Sequence, residues 1–346
     1  MAPIDEENFC YYPFSQLLLQ PNGTISPCCW SQNVAVGQAP QDSLAGAWNG
    51  ERMRALRREF LAGKPVTCKR EMSHIGCHRF SRRPYRAELS LTEVQERPPA
   101  RLDLRLNGQC NLECVMCDVW KQPNGLYDRT RFWADGPTEL FPHLKELSVL
   151  GGEPFIQKDT YRLIDEVSAC NPACTWAFVT NGSYTFNRAI RERLDKISIR
   201  WIQLSLDSLN AETYSRIRKG GTFAKTLETL EALHGYQRER QQAGRAFRLY
   251  ISMCVQKLNW REMPGLAKFA LERELPLIFQ FAYRPAAESL LGLSETERRE
   301  IMWFIRDEVH PICGPEAAKP VWAPLRDSLR APGSARAESP IISFAE

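Results

Sequence analysis

The sequence predicts an α/β fold, a parallel sheet or partial barrel behind a small cysteine-rich region, on three observations. From Arg101 onward six short apolar runs alternate with helical stretches. The first run leads into "CNLECVMC", three cysteines within eight residues. Before Arg101 the chain carries five of its twelve cysteines, with frequent Pro and Gly.

In chain order, "FCYYPFSQLLLQPNGTISPCC" reads as a hairpin, because "PNG" is a turn between two strands and brings Cys10 toward Cys28. "DSLAGAWNGERMRALRREFLAG" is helical, with Leu44, Trp48, Met53, Leu56 and Phe60 at helical spacing and Gly63 as its stop. "RRPYRAELSLTEVQERPPA" reads as a linker ending in Pro98-Pro99, which places a boundary there. The strands that follow are "RLDLRLN", "LKELSVLGG", "TWAFVTNG", "IRWIQLSLDS", "FRLYISMCVQ" and "PLIFQFAY". The expected division is 1–98, 99–285 and 286–346, the last helical through "SETERREIMWFIRDEVHPI" and then a loose Pro-, Ala- and Ser-rich tail.

Composition narrows the function. Forty-five basic against forty-one acidic residues give a net charge of +4, too little to imply a nucleic-acid surface without a local cluster. No stretch approaches the ~20 apolar residues of a membrane span, and "MAPIDEENFCYY" lacks a signal-peptide pattern, so a soluble cytoplasmic protein is expected. In a reducing compartment, clustered cysteines suggest metal rather than disulfides.

Cys110, Cys114 and Cys117 form a C-x3-C-x2-C set at the end of a strand. Thiolates suit zinc or iron–sulfur clusters, which normally close with four ligands. Three leave one iron open to a small molecule that receives an electron. A zinc knuckle, or three unrelated buried thiols, is the alternative.

With "LSVLGGEPF" after the second strand, this set resembles the radical S-adenosylmethionine (SAM) enzymes. The resemblance implies a partial (β/α)6 TIM-like barrel and a [4Fe-4S] cluster on Cys110, Cys114 and Cys117. Its open iron chelates S-adenosylmethionine, which is cleaved reductively to a 5′-deoxyadenosyl radical that abstracts hydrogen from a C–H bond. Met116 stands where many members have an aromatic residue against the adenine. Gly151, Gly152, Glu153 and Pro154 match the segment that contacts the SAM amino group, Glu153 offering a carboxylate to an ammonium. Asn181, Ser205 and Asn259 are carried over as further SAM contacts, and Arg218 as partner of the SAM carboxylate. For Arg216, Arg218 and Lys219 a solvated helix face is the alternative.

The N-terminal cysteines resemble the twitch and SPASM modules of the same superfamily, which bind an auxiliary cluster. That implies a second [4Fe-4S] cluster on Cys10, Cys28, Cys68 and Cys77, with Cys29 in place of Cys28 as one alternative and zinc, with His74 and His78, as another. Cys170 and Cys174 read as a structural loop.

The expected function is hydrogen abstraction from a peptide or an amino-bearing small molecule, with flavodoxin or ferredoxin as electron donor. The first hundred residues leave no room for a leader-peptide-binding winged helix, which tilts toward a substrate recognised without one. A non-catalytic metal- or nucleic-acid-binding protein is the competing class, supported by the basic and aromatic residues of "CKREMSHIGCHRFSRRPYR". In "LYISMCVQ" alternation puts Ser252, Cys254 and Gln256 on the more polar face, so Cys254 is a candidate catalytic thiol that returns a hydrogen atom to a substrate radical. Cys313 is its reserve, and a small buried cysteine filling space is the alternative.

Overall fold

The computed structural model describes residues 9–29, 34–68 and 89–330. The six expected strands are present as β4 (Arg101–Leu104), β5 (Glu146–Val149), β6 (Thr175–Thr180), β7 (Ser198–Ser205), β8 (Arg248–Val255) and β9 (Leu277–Phe281). Each pairs in parallel with the next. Between and after them run α3 (Phe132–Asp135), α4 (Lys158–Cys170), α5 (Arg188–Leu194), α6 (Ala211–Ile217), α7 (Phe223–Gln242), α8 (Met263–Glu272), α9 (Glu295–Phe304) and α10 (His310–Arg330). Among the described residues no helix is long and apolar enough to cross a membrane.

Two-residue alternation gives this sheet two different faces. Leu102, Leu104, Leu147, Val149, Trp176, Phe178, Ile202 and Leu204 share the helix-covered face, where Leu163, Ile164 and Val167 of α4 join the same core. The other face is polar, as the register fixes: Arg101 sits opposite Glu146, and Asp103 opposite Ser148. The Arg101 guanidinium donates to Ser148 Oγ (2.9 Å) and pairs with Glu146 (3.3 Å), and Gln203 Nε2 donates to Ser252 Oγ (3.0 Å). This polar face lines the inside of the partial barrel.

The N-terminal region is built into the same sheet. β1 (Gln16–Leu19) and β2 (Thr24–Ser26) form the expected antiparallel hairpin, turned at Gly23 with φ +84°. A side chain at Gly23 would run into the carbonyl of Ala39. β3 (Gly37–Gln38) pairs with β2 on its other side. β1 then pairs in parallel with β4, giving one nine-stranded sheet, β3-β2-β1-β4-β5-β6-β7-β8-β9. The break at Pro98-Pro99 therefore does not divide the sheet: the edge groups of β4 need a partner, and the wholly buried "QLLL" supplies it. The helical stretch before Gly63 is two helices, α1 (Leu44–Asn49) and α2 (Glu51–Leu61), broken at the extended Gly50.

The C-terminal segment departs from expectation. Residues read as a loose tail continue α10 to Arg330, with Ala318, Val321 and Leu325 fully buried at helical spacing. Pro315 is tolerated because Gly314, at φ 79°, breaks the helix just before it and leaves the proline in a first turn.

If the N-terminal strands and the barrel are one sheet, Leu17→Ala should lower the stability of the whole chain by about 2–5 kcal/mol, since Leu17 is fully buried. Urea unfolding followed by fluorescence and by circular dichroism should then shift as one transition. Two transitions, of which only one moves, would contradict the shared sheet.

Candidate functional site

The C-terminal ends of the parallel strands hold the three close thiols. After β4 the chain does not turn back at once but crosses the mouth of the barrel. On one side Gln109 O accepts from Glu153 N–H (2.9 Å) and Gln157 Nε2 (2.9 Å), which follow β5. On the far side Glu113 N–H donates to Lys219 O (2.9 Å) and Val115 N–H to Ile217 O (3.0 Å), at the end of α6. Between these anchors lie Cys110, Cys114 and Cys117, and Cys117 N–H closes a turn onto Cys114 O (3.1 Å).

Two N–H donors point at the sulfurs: Asn181 Nδ2 stands 3.6 Å from Cys110 Sγ, and Arg218 Nη1 3.9 Å from Cys114 Sγ. Burial pushes the Cys114 thiol up to about 12, against the pull of Arg218, so metal binding there must release a proton. Among the described residues no three His, Cys, Asp or Glu side chains close on a single metal ion. The donor set fits a cluster instead, with one thiol per iron, sulfur-directed N–H groups and a fourth corner left to a ligand from outside the chain.

Gly151 and Gly152 follow β5 at φ +80° and +53°. Their use is close packing of chain on chain: a Cβ at Gly151 would come 2.6 Å from Arg105 Cβ, and one at Gly152 would strike Gln109 O beside the first thiol. Glu153 is fully buried and turned inward, where Thr180 Oγ1 (2.7 Å), Asn181 N–H (2.6 Å) and Phe155 N–H (3.1 Å) donate to its carboxylate. Burial raises its carboxyl to about 7, opposed by those donors. It ties the ends of β5 and β6 together, and Pro154 opens a short turn behind it.

Arg218 is buried rather than on a solvated helix face. Its Nε pairs with Asp207 Oδ2 at 2.8 Å. Burial acts to lower the guanidinium, and the charges of Asp207, Cys114, Tyr214 and Cys254 together raise it. Asp207 Oδ1 also accepts Cys254 N–H (2.7 Å). Asn259, fully buried, donates to Asp207 O (2.8 Å) and Cys254 O (3.0 Å) and accepts Gln256 N–H (2.8 Å), so it fixes the end of β8. Ser205 and Met116 are half-buried. Cys254 faces inward, and burial pushes its thiol well up, with charge on Cys114 and Cys117 felt there as well. Cys313 is turned onto its own chain, toward Val309 O (3.5 Å). The pattern had not singled out Thr180 and Gln157. Their signal was position, one residue before Asn181 and four after Glu153.

The N-terminal thiols lie at the other end of the sheet. Cys10 precedes β1 and Cys28 follows β2, which runs back toward the start of β4. Cys10 and Cys28 are buried, and Cys29 and Cys68 are half-buried. Cys77, His74 and His78 lie outside the described residues. Cys174 is buried in the core, as a structural loop requires, and Cys170 is exposed.

Residues 105–270 match the radical SAM superfamily model, and residues 10–71 match SPASM, an iron–sulfur cluster-binding domain. The second match contains Cys10, Cys28, Cys29 and Cys68. The GTP 3′,8-cyclase of Clostridium botulinum (strain Hall) is 30% identical over 138 residues, 38% of this chain and 42% of that protein. The GTP 3′,8-cyclase of Saccharophagus degradans is 24% identical over 212 residues, 60% of this chain and 59% of that one. The similarity thus spans less than two thirds of either relative. Among solved structures, SuiB of Streptococcus suis bound to precursor peptide SuiA is similar with a TM-score of 0.45 and 16% identity, over 62% of this chain and 46% of that one.

Glu153→Gln would put an amide N–H₂ against backbone or hydroxyl donors, leaving a buried group unmatched. A loss of about 1–3 kcal/mol in urea unfolding is expected. An unchanged midpoint would mean that the carboxylate does not hold the strand ends.

Proposed function

Because this chain is a radical SAM enzyme with a SPASM iron–sulfur domain ahead of its barrel, we propose that it abstracts a hydrogen atom from a C–H bond of a peptide or an amino-bearing small molecule. The supporting observation is the thiol loop anchored on both sides of the barrel mouth, with Asn181 and Arg218 directed at its sulfurs. When bound there, the [4Fe-4S] cluster and S-adenosylmethionine supply a 5′-deoxyadenosyl radical, with the electron coming from a donor such as flavodoxin or ferredoxin.

The chain's own residues hold and orient. Cys110, Cys114 and Cys117 are the cluster ligands. The backbone of Gly151 to Pro154, held by the Glu153 carboxylate, faces the amino group of S-adenosylmethionine. Met116, Asn181, Ser205 and Arg218 line the rest of that side, and Asn259 fixes its far edge. The polar inner face of the barrel takes the substrate. Cys10, Cys28, Cys68 and Cys77, with Cys29 as the alternative to Cys28, are the ligands of an auxiliary [4Fe-4S] cluster in this reading. The name of the curated relatives points to a nucleotide substrate. Their similarity spans only part of each chain and supports the radical chemistry more than the substrate.

Cys254 supports a reading of the outcome. Its half-buried thiol, on the inward face of β8, is placed to return a hydrogen atom to a substrate radical and so invert the carbon; the thiyl radical left would take back a proton and an electron, the electron from a donor such as flavodoxin or ferredoxin. Oxidation is the competing outcome, with an electron passing to the N-terminal cluster.

Anaerobic reconstitution should load close to eight irons per chain, about four for each cubane. Cys110→Ala/Cys114→Ala/Cys117→Ala should abolish reductive cleavage of S-adenosylmethionine, whereas Cys28→Ala should keep cleavage and lose product. Cleavage surviving in the triple variant rejects the core assignment, and iron near four with zinc making up the remainder rejects only the auxiliary cluster. For the outcome, turnover in D2O should place one deuterium at the reacting carbon, and Cys254→Ala should stop it. A product two hydrogens lighter, free of deuterium and formed equally by Cys254→Ala, would establish oxidation instead.

A further inference from the structure

The N-terminal hairpin carries to the inner face of the barrel a side chain that nothing in the fold uses. Gln20 follows β1 directly. The pairing of Leu19 with Leu104 and the bond from Arg105 N–H to Leu19 O (2.9 Å) set it beside Arg105. Alternation along β1 turns Gln16, Leu18 and Gln20 to the same face as Arg101, Asp103 and Arg105. The Gln20 main chain is fully engaged: its N–H donates to Thr24 O (3.0 Å), and its O accepts from Gly23 N–H (2.9 Å) and Tyr127 Oη (2.9 Å). Gln20 is 2% exposed, yet among the described residues neither its Nε2 nor its Oε1 has a hydrogen-bond partner. Arg105 Nε likewise has none, and its nearest carboxylate, on Asp103, is 4.0 Å away. The Arg105 stem is held against Gly151, and its charge reaches Cys117.

The large majority of buried amides in folded proteins are satisfied, so one unmatched at both atoms calls for a water, an ion or a ligand group. The chemistry of that group follows from the atoms left open. Gln20 Oε1 needs a donor, while Gln20 Nε2 and Arg105 Nε need acceptors. A carboxylate or phosphate would serve the two donors but set an oxygen against Oε1. A residue in an extended peptide presents its N–H and C=O on the same side, as paired strands do when they exchange both bonds. A nucleobase edge offers a similar pair once only. Gln256, the next residue after Ser252 and Cys254 in the inward alternation of β8, is fully buried and also unmatched at both amide atoms. With β4 to β7 lying between β1 and β8 in the sheet, a ligand that met both carboxamides would be an extended chain with repeated amides rather than a single base.

We propose that Gln20, with Arg105 beside it, binds the backbone of an extended peptide substrate, so that the SPASM hairpin forms part of the substrate site. This rests on the reading that the inner face of the barrel holds the substrate.

The test uses reconstituted holoenzyme with S-adenosylmethionine bound. Short random-sequence synthetic peptides are enriched on it, and the Kd of the best binder is measured by fluorescence anisotropy. Gln20→Leu should weaken that peptide about tenfold or more, leave the affinity for S-adenosylmethionine unchanged, and raise Tm, because it removes unmatched polar atoms. In the wild type, N-methylation of one peptide amide should give the same loss, with no further loss in Gln20→Leu. Equal peptide binding by Gln20→Leu overturns this docking point and leaves the peptide reading intact, and a fall in Tm overturns it by giving Gln20 a structural role. Failure to enrich any peptide, or GTP binding that depends on Gln20 in its place, overturns both.

Discussion

The buried pair between Asp207 and Arg218 is the constraint on which the mouth of the barrel depends. Asp207 is wholly buried, and its two oxygens reach different elements: one takes Cys254 N–H from β8, the other the guanidinium at the end of α6. Arg218 continues to Cys114 Sγ, and Asn259 binds the Asp207 carbonyl from the next loop. An ion pair taken out of water gains little stability, since desolvation opposes the attraction, but removing one partner strands the other charge. What this pair supplies is position. The strand that bears the inward thiol and the loop that bears the cluster thiols are held to one another through it.

The second organising feature is that the two thiol sets stand at opposite ends of one sheet. Between them runs a buried face of Arg101, Asp103, Glu146, Ser148, Gln203 and Ser252, unlike the hydrocarbon on the helix side. Arg200, half-exposed, reaches the second oxygen of Glu146, whose first faces Arg101. A face buried and still polar is costly unless its groups are matched, and most of these are matched to each other.

Much of this was legible in the sequence, for reasons that differ by element. Six apolar runs with turn residues behind them reported six strands, and the hairpin at "PNG" followed from turn chemistry alone. The three-thiol spacing pointed to one short loop, and the structure lays that loop across the mouth of the barrel. The pairing of β1 with β4 was hidden: four buried residues in a row have no alternation to read, and their partner lies far along the chain. α10 was hidden by its prolines, which argue against a helix until Gly314 is seen to restart it. The inward turn of Glu153 was equally out of reach, since a carboxylate after two glycines reads the same whether it meets a ligand or Thr180. Arg218 shared its stretch with Arg216 and Lys219, and only burial separates it from them.

The position of β1 between β2 and β4 sets an order of events during synthesis. Gln16–Leu19 leaves the ribosome well before Arg101–Leu104, the strand it must lie against. At ordinary translation rates that interval is on the order of ten seconds. During it Cys10 and Cys28 exist without the sheet that later buries them, accessible to iron-delivery machinery and equally to oxidants. Once β4 arrives and the sheet closes, the same thiols lie in the core.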